Sequence, residues 1–374
     1  MKQKNIQNEL IKLTKGLIQF KTTQDHPDET KKCMQYIKDY YMEDGLIIDG
    51  LNIKEFNNNG KRSLYICFTD KKKSKLLLNG HIDVVPGDEE QYTPYIKNNN
   101  IYGRGAVDMK AGVASFLLLF KELAKKQTKP DIALMIVSDE EIGGFNGTRY
   151  LIEDKGYSTD FAIASEPGHG SMDSLNITIA EKGLLWLKIK TKGKSCHGSR
   201  PWLGENAIEK LMDKTREIKK LFPGTTKENR WKTTVNIGTI KGGDITNKVA
   251  DSAELTLDIR YTEETSIPEI LKKFETIENI EVEVLTQASM LINPDDVDFI
   301  SNLKDIAQQI SGKEVELSKA HGASDMRFTS AKNIPSIIFG PYGKNHHGKD
   351  EYVSIQSLTI YYQALKEFVE KYYC

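Results

Sequence analysis

Cysteine is scarce in this sequence and unpatterned. Cys33, Cys67, Cys196 and Cys374 are the four. They form no C-x-x-C pair, which argues against a zinc–thiolate cluster or a disulfide framework and fits reduced thiols in a cytoplasm. Long apolar runs are missing too. The longest, Phe116–Phe120, is far short of the roughly 20 residues that a membrane helix needs, so no membrane partner is expected. Neither sign of charge dominates: Lys+Arg 52 against Asp+Glu 53 gives a net −1. Nucleic-acid binders carry a basic excess or patch, and lysine runs such as Lys71–Lys73 read as solvated faces. Met1–Phe20 lacks the unbroken apolar stretch of a signal peptide. Its apolar Ile6, Leu10, Ile11, Leu13 and Leu17 alternate with lysines, as on a surface helix. What is present suits a soluble globular protein: 374 residues, 39% hydrophobic and 28% charged, enough chain for two domains.

Residues 61–170 alternate between the two kinds of periodicity. Leu64–Phe68, Leu76–Leu78, Ile132–Val137 and Phe161–Ala164 read as buried strands, and Ala111–Lys126 as a helix. That alternation predicts an α/β layer structure with a mostly parallel central sheet. Beyond about Leu175 the texture changes. Leu184–Ile189 partly alternates, Asn206–Leu221 reads as a helix, and Leu255, Leu257 and Ile259 alternate with polar neighbours, as in a sheet with one solvated face. From about Asn293 the first texture returns, with a helix near Asp296–Ile310 and a strand at Ser336–Phe339. The expected organisation is a catalytic domain in two parts, 1–178 and 293–374, around an inserted α+β domain at 179–292.

Chemistry-bearing residues follow the strands. Leu76–Leu78 leads into His81 and Asp83, Ile132–Val137 into Ser138-Asp139-Glu140-Glu141, Phe161–Ala164 into Glu166, and Ser336–Phe339 into a loop with His346 and His347. Asp108 lies just before the long helix. Open α/β sheets form their sites outside the carboxyl ends of the strands, so these donors are expected on one rim. Imidazole and carboxylate without thiolate suit zinc, cobalt or manganese in a hydrolytic site. In an extended Glu140-Glu141 pair the side chains would point apart, one toward a metal and the other toward a water whose proton it could take. His81 and Asp83 fit a pair in which the carboxylate accepts the ring N–H. Each feature alone is weak; their joint placement at strand ends carries the reading.

The chain resembles the co-catalytic dinuclear zinc aminoacylase/carboxypeptidase family, which includes succinyl-diaminopimelate desuccinylase, acetylornithine deacetylase, aminoacylase and glutamate carboxypeptidase. The resemblance rests on Gly80–Pro86, Gly103–Lys110, Ser138–Glu141, Ser165–Gly168 and His347–Val353, in the expected order along nearly the whole chain. It implies two Zn2+ per chain, with Co2+ or Mn2+ as alternatives. Asp108 would bridge them, His81 and Glu166 would complete one site, and Glu141 and His347 the other. Glu140 would be the general base and Asp83 the partner of His81. The segment Gly193–Ser199 resembles the family's lid, in which His197 would stabilise an oxyanion, across a homodimer in many members. Asn247 and Arg260 resemble the binders of a substrate carboxylate. Two departures stand out. Cys196 occupies a position where a small residue is usual, and Ser324-Asp325-Met326-Arg327-Phe328 lacks the Gly-Gly-Thr lead-in associated with desuccinylases. The implied activity is hydrolysis of an amide bond in an N-acyl amino acid with a free carboxylate. A dipeptidase or carboxypeptidase with the same site is the alternative, and a non-catalytic binding protein on this fold the more distant one.

Overall fold

The run Ile132–Val137 forms a strand that is buried at all six positions, as a strand covered on both faces must be. In the computed structural model, which describes residues 3–43, 46–168, 170–224, 226, 229–294 and 297–374, this strand lies inside a mixed sheet. Its order is Leu291–Ile292, Asn176–Glu181, Ser336–Ile338, Ser158–Ala164, Lys73–His81, Ile132–Val137, Lys61–Cys67, Asn52–Asn58, with Glu316–Ala320 also paired to Asn176–Glu181. The centre is parallel: Lys73–His81 pairs in parallel with both Ile132–Val137 and Ser158–Ala164, and Ser336–Ile338 joins Ser158–Ala164 in the same sense. The outer pairs are antiparallel. Helices Gln3–Ile18, Ala111–Ala124, Asp298–Ser311 and Ile355–Tyr372 share one core with these strands, including Leu10, Leu117, Leu303 and Leu365 beside Leu78 and Leu134. Full burial of such a side chain contributes roughly 1.5–3 kcal/mol. The helix expected near Asp296–Ile310 runs over Asp298–Ser311; Asp296 lies outside the described residues.

The chain divides into two units, one of Met1–Ala180, Ile292–Ser318 and Ser324–Cys374, the other of Glu181–Leu291 and Lys319–Ala323. The second has its own core. Its antiparallel strands run in the order Thr234–Gly242, Ser252–Tyr261, Gly183–Lys192, Glu281–Ala288. Leu185, Leu187 and Ile189 on one strand, with Leu255, Leu257 and Ile259 on its neighbour, face helices Ala207–Leu221 and Ile267–Phe274 through Leu211, Ile218, Ile270 and Phe274. Asn206 caps the first helix by accepting from the Ile208 N–H at 3.0 Å, satisfying a donor that helix geometry leaves open. The sequence expectation kept all of 293–374 with the catalytic part. Residues Lys319–Ala323 instead cluster with the second unit, because the Lys182 N–H donates to the Ala320 carbonyl at 3.3 Å and Lys319 pairs with Glu263 at 3.0 Å.

Candidate metal centre

His81 ends the strand Lys73–His81. Glu140 and Glu141 follow Ile132–Val137, and Glu166 follows Ser158–Ala164. Helix Ala111–Ala124 presses against the Glu166 loop at Gly112, where a Cβ would come within 2.8 Å of the Ser165 carbonyl, so only glycine allows this approach. Asp108 precedes that helix. His347 sits in the loop between Gly343–Lys344 and Tyr352–Ser354, which pair with each other; the latter also pairs with Asn100–Tyr102, just before the Asp108 loop. This second small sheet brings the two loops together.

The donors form two groups: His81, Glu140 and Glu166, and Asp108, Glu141 and His347. The Asp108 carboxylate joins them. Its Oδ1 lies 3.2 Å from His81 Nε2 and its Oδ2 lies 3.1 Å from His347 Nε2. His81 Nε2 is 3.6 Å from Glu166 Oε2, and His347 Nε2 is 3.2 Å from Glu141 Oε2. Ligands held about 2.0–2.1 Å from a tetrahedral zinc are separated by about 3.3 Å, so these nitrogen and oxygen donors fit such an ion. His346 belongs to neither group.

The charges are tightly compensated. Burial opposes protonation of His81, but Glu166, Asp108 and Asp83 outweigh it and raise its pKa well above the ordinary value. His347 is pushed up to about 10, chiefly by hydrogen bonds to Asp108 and Glu141. Burial works against the charged form of Asp108, yet His347 and His81 hold its pKa far below the usual carboxylate range. Burial and the Glu166 carboxylate drive Glu140 the other way, well above the usual range. Strongly shifted carboxylates of this kind cluster at functional sites.

One expectation about local geometry needs correction. Glu140 and Glu141 are not extended; they lie in a helical turn, Glu140–Ile142. Asp83 faces the His81 ring through two groups: its main-chain carbonyl lies 2.9 Å from Nδ1 and its carboxylate Oδ1 lies 3.5 Å from the same nitrogen. The Asp83 carboxylate accepts from the N–H groups of Glu140 at 3.3 Å and Glu141 at 3.1 Å, curling that segment. Gln24 donates to the same carboxylate at 3.0 Å. Asp83 therefore fixes the tautomer of His81 through its main-chain carbonyl, and its carboxylate both supports the charge of that ring and holds the pose of the two glutamates.

Sequence reasoning gave no role to Gln24, Arg104 or Glu351. Glu351 is 1% exposed and accepts from Arg104 Nη1 at 2.8 Å and from the N–H groups of Gly105, Val107 and Asp108 at 2.9, 3.1 and 3.2 Å. Gly105 reaches this cradle with φ +78°, a conformation that favours glycine. Arg104 Nη2 also donates to the His347 carbonyl at 3.1 Å. The buried ion pair thus ties the Asp108 loop to the His347 loop. An arginine between two glycines was the available signal for Arg104; nothing local marks Gln24.

His197, Asn247 and Arg260 lie in the second unit. His197 is exposed. Its Nδ1 accepts from the Ser199 N–H at 3.2 Å and lies 2.8 Å from Ser199 Oγ, which leaves Nε2 as the proton-bearing nitrogen. Its neighbour Asn247 accepts through its carbonyl from the Gly198 N–H at 2.7 Å. Arg260 stands elsewhere. It pairs with Leu184 and Thr234, whereas Ser252 pairs with Lys192 at the other end of the same ladder, and the His197–Lys248 bridge continues beyond that end. Eight extended residues from Ser252 to Arg260 span about 26 Å. The expectation that Asn247 and Arg260 grip one carboxylate therefore fails within a single copy of the chain.

A search of family models matches residues 77–371 to peptidase family M20/M25/M40; the chain belongs to this family. It is a metallohydrolase of amide or peptide bonds. It is 28% identical to an uncharacterized metallohydrolase of Methanocaldococcus jannaschii, over 90% of this chain and 91% of that protein. It is 26% identical to a succinyl-diaminopimelate desuccinylase of Nautilia profundicola, over 97% and 99%. Among solved structures, a Staphylococcus aureus tripeptidase superposes with a TM-score of 0.77 at 21% identity, covering 98% of each chain. An M20 metallo-carboxypeptidase from Sulfolobus solfataricus gives 0.76 at 18%, covering 97% of this chain and 98% of that one.

Proposed function

We propose that the chain hydrolyses the amide bond of an N-acyl amino acid with a free carboxylate, using two zinc ions held by His81, Asp108, Glu141, Glu166 and His347. The carrying observation is the placement of the two Asp108 oxygens, one against each histidine. When bound, the metal pair supplies Lewis acidity and an acidified water. The side chains do the rest. Glu140 takes a proton from the attacking water and delivers it to the departing nitrogen. Asp83 holds Glu140 and Glu141 in register. His197 donates its Nε2 proton to the developing oxyanion, a stabilisation that usually ranks among the largest in acyl transfer. Arg260 orients the substrate through its carboxylate. Three relatives named as desuccinylases favour an acyl substrate; the tripeptidase and carboxypeptidase folds keep the peptidase alternative in view. A hydrolysis screen of zinc-loaded protein on N-acetyl, N-succinyl and dipeptide substrates separates them. Activity on dipeptides alone would replace this reading.

The same reading makes the enzyme a homodimer. With His197 and Asn247 at one end of the second unit's sheet and Arg260 at the other, all three serve one substrate only if two copies contribute. The edge strand Thr234–Gly242 carries exposed Ile240, and the turn after it exposed Ile245, features suited to pairing with another chain. Mixing Glu140→Gln with His197→Ala protein, each nearly inactive, should restore activity through hybrid dimers. No recovery would confine His197 to its own chain. The four free cysteines fit a reducing cytoplasm, which cell fractionation would test.

A further inference from the structure

Arg260 is not the only cation at its end of the second unit's sheet. It lines a pocket of about 250 Å³ with Lys182, Arg230, Thr234 and His321. Thr234 is its partner on one neighbouring strand and Leu184 on the other, with Lys182 two residues before Leu184. The guanidinium is anchored at its base: Nε donates to Asp258 Oδ1 at 2.9 Å, and the Trp186 indole donates to the same oxygen at 3.0 Å. Among the described residues, no hydrogen bond engages the two terminal nitrogens of Arg260.

Lys182 is the unusual member. It is 2% exposed, and lysine is almost never so buried without a paired charge. Its Nζ donates to the carbonyls of Arg230 at 3.1 Å and Lys232 at 2.6 Å, two neutral acceptors for three ammonium protons. No ion pair joins it to a carboxylate among the described residues, and burial alone lowers its pKa. The Trp231 ring lies 5.9 Å from Nζ. A desolvated ammonium beside a guanidinium whose fork is open is a costly arrangement until an anion arrives.

We propose that Lys182 and Arg260 together form a carboxylate pocket, with the guanidinium gripping the anion as a fork and the Lys182 ammonium supplying its third proton as a second charge. This deepens the reading of Arg260 given above and rests on it. It makes Lys182 a specificity residue and replaces the same-chain Asn247 as the partner of Arg260. The substrate class is an acyl amino acid whose carboxylate is unsubstituted.

Trp231 offers a readout independent of hydrolysis. Its fluorescence, with Trp231→Phe protein as the signal control, is followed while the zinc-loaded enzyme is titrated with propionate or with its neutral isostere propionamide. Propionate should shift the emission and propionamide should not. Lys182→Met should weaken propionate at least about tenfold, the loss expected for one charge-assisted hydrogen bond, and Lys182→Arg should recover part of it. On N-acyl substrates the Lys182→Met penalty should fall on the acid form and vanish on the amide. A wild-type protein that answers propionate and propionamide alike, or Lys182→Met protein that binds propionate unchanged, overturns the pocket; the wild-type comparison needs no variant to fold. Propionate binding without hydrolysis of any acyl substrate would retain the pocket and remove the hydrolase reading instead.

Discussion

The metal-ligand loops of the first unit and the candidate binding residues of the second are built on opposite plans. In the first, Asp83 and Glu351 are buried at 1% exposure each and every oxygen of both carboxylates is engaged. Between them they fix the loops of Asp108, Glu140 and Glu141, with Arg104 adding that of His347. In the second, His197 is exposed and is held by a turn of its own residues, and Arg260 is anchored only at its base. The first unit stores its geometry in advance, which is what charge-stabilising catalysis requires. The second leaves its polar groups open, as a surface does when it is completed by a substrate or another copy of itself. Variants in the first unit should therefore damage metal retention and stability, and those in the second should change turnover or selectivity while the fold stays intact.

The largest effect should come from the shared ligand. Asp108→Ala should lose both metals and all activity, whereas His347→Ala should lose mainly one metal. Elemental analysis after zinc loading decides, and equal loss from the two variants would mean that Asp108 is no bridge. Next is Glu351→Ala, which strands the buried Arg104 charge. Breaking such a pair costs about 3–5 kcal/mol, measurable by urea unfolding. Removing the exposed Lys349–Asp88 pair should cost no more than about 1 kcal/mol. A Glu351 effect as small as that would dissolve the contrast between the units. Glu140→Gln should lower turnover at least about 10²-fold with metal content nearly unchanged. Arg260→Lys in the second unit should cost about 1.5–3 kcal/mol in kcat/KM on the acid form of a substrate and little on its amide, without altering the melting temperature. An equal penalty on acid and amide would make Arg260 structural.

A further effect concerns pH. In metal-stripped protein His347 is held protonated, with its pKa raised from 6.5 to about 10. A raised histidine contributes stability that is complete below 6.5 and fades as the pH climbs through 10. Stripped protein should lose stability across that window. Zinc-loaded protein, in which the ligand must already be neutral, should not show this loss.

How much of this was legible beforehand depended on distance along the chain. The strands were readable because burial on both faces demands unbroken apolar runs, as in Ile132–Val137. The donors were readable because each follows its strand directly. Asp83 was read only in part, since a sequence shows a carboxylate beside a histidine and not the two backbone N–H groups that arrive from Glu140 and Glu141. Gln24 was invisible for the same reason. The separation of Asn247 from Arg260 was hidden as well. Thirteen positions apart looks close in sequence, yet an extended strand turns that interval into most of the length of a sheet.

The strand Ser336–Ile338 lies between Ser158–Ala164 and Asn176–Glu181, so a late piece of chain fills the gap between two early ones. Protein synthesis runs in one direction and domains tend to close as they emerge. On the ribosome the entire second unit is finished while the larger sheet still has a slot in its middle, and His347 is translated later still. A nascent chain therefore has no stage at which a half-made enzyme carries both metal groups. Completion of the site thus falls to one short segment, in which a single strand closes the sheet and the final ligand follows it.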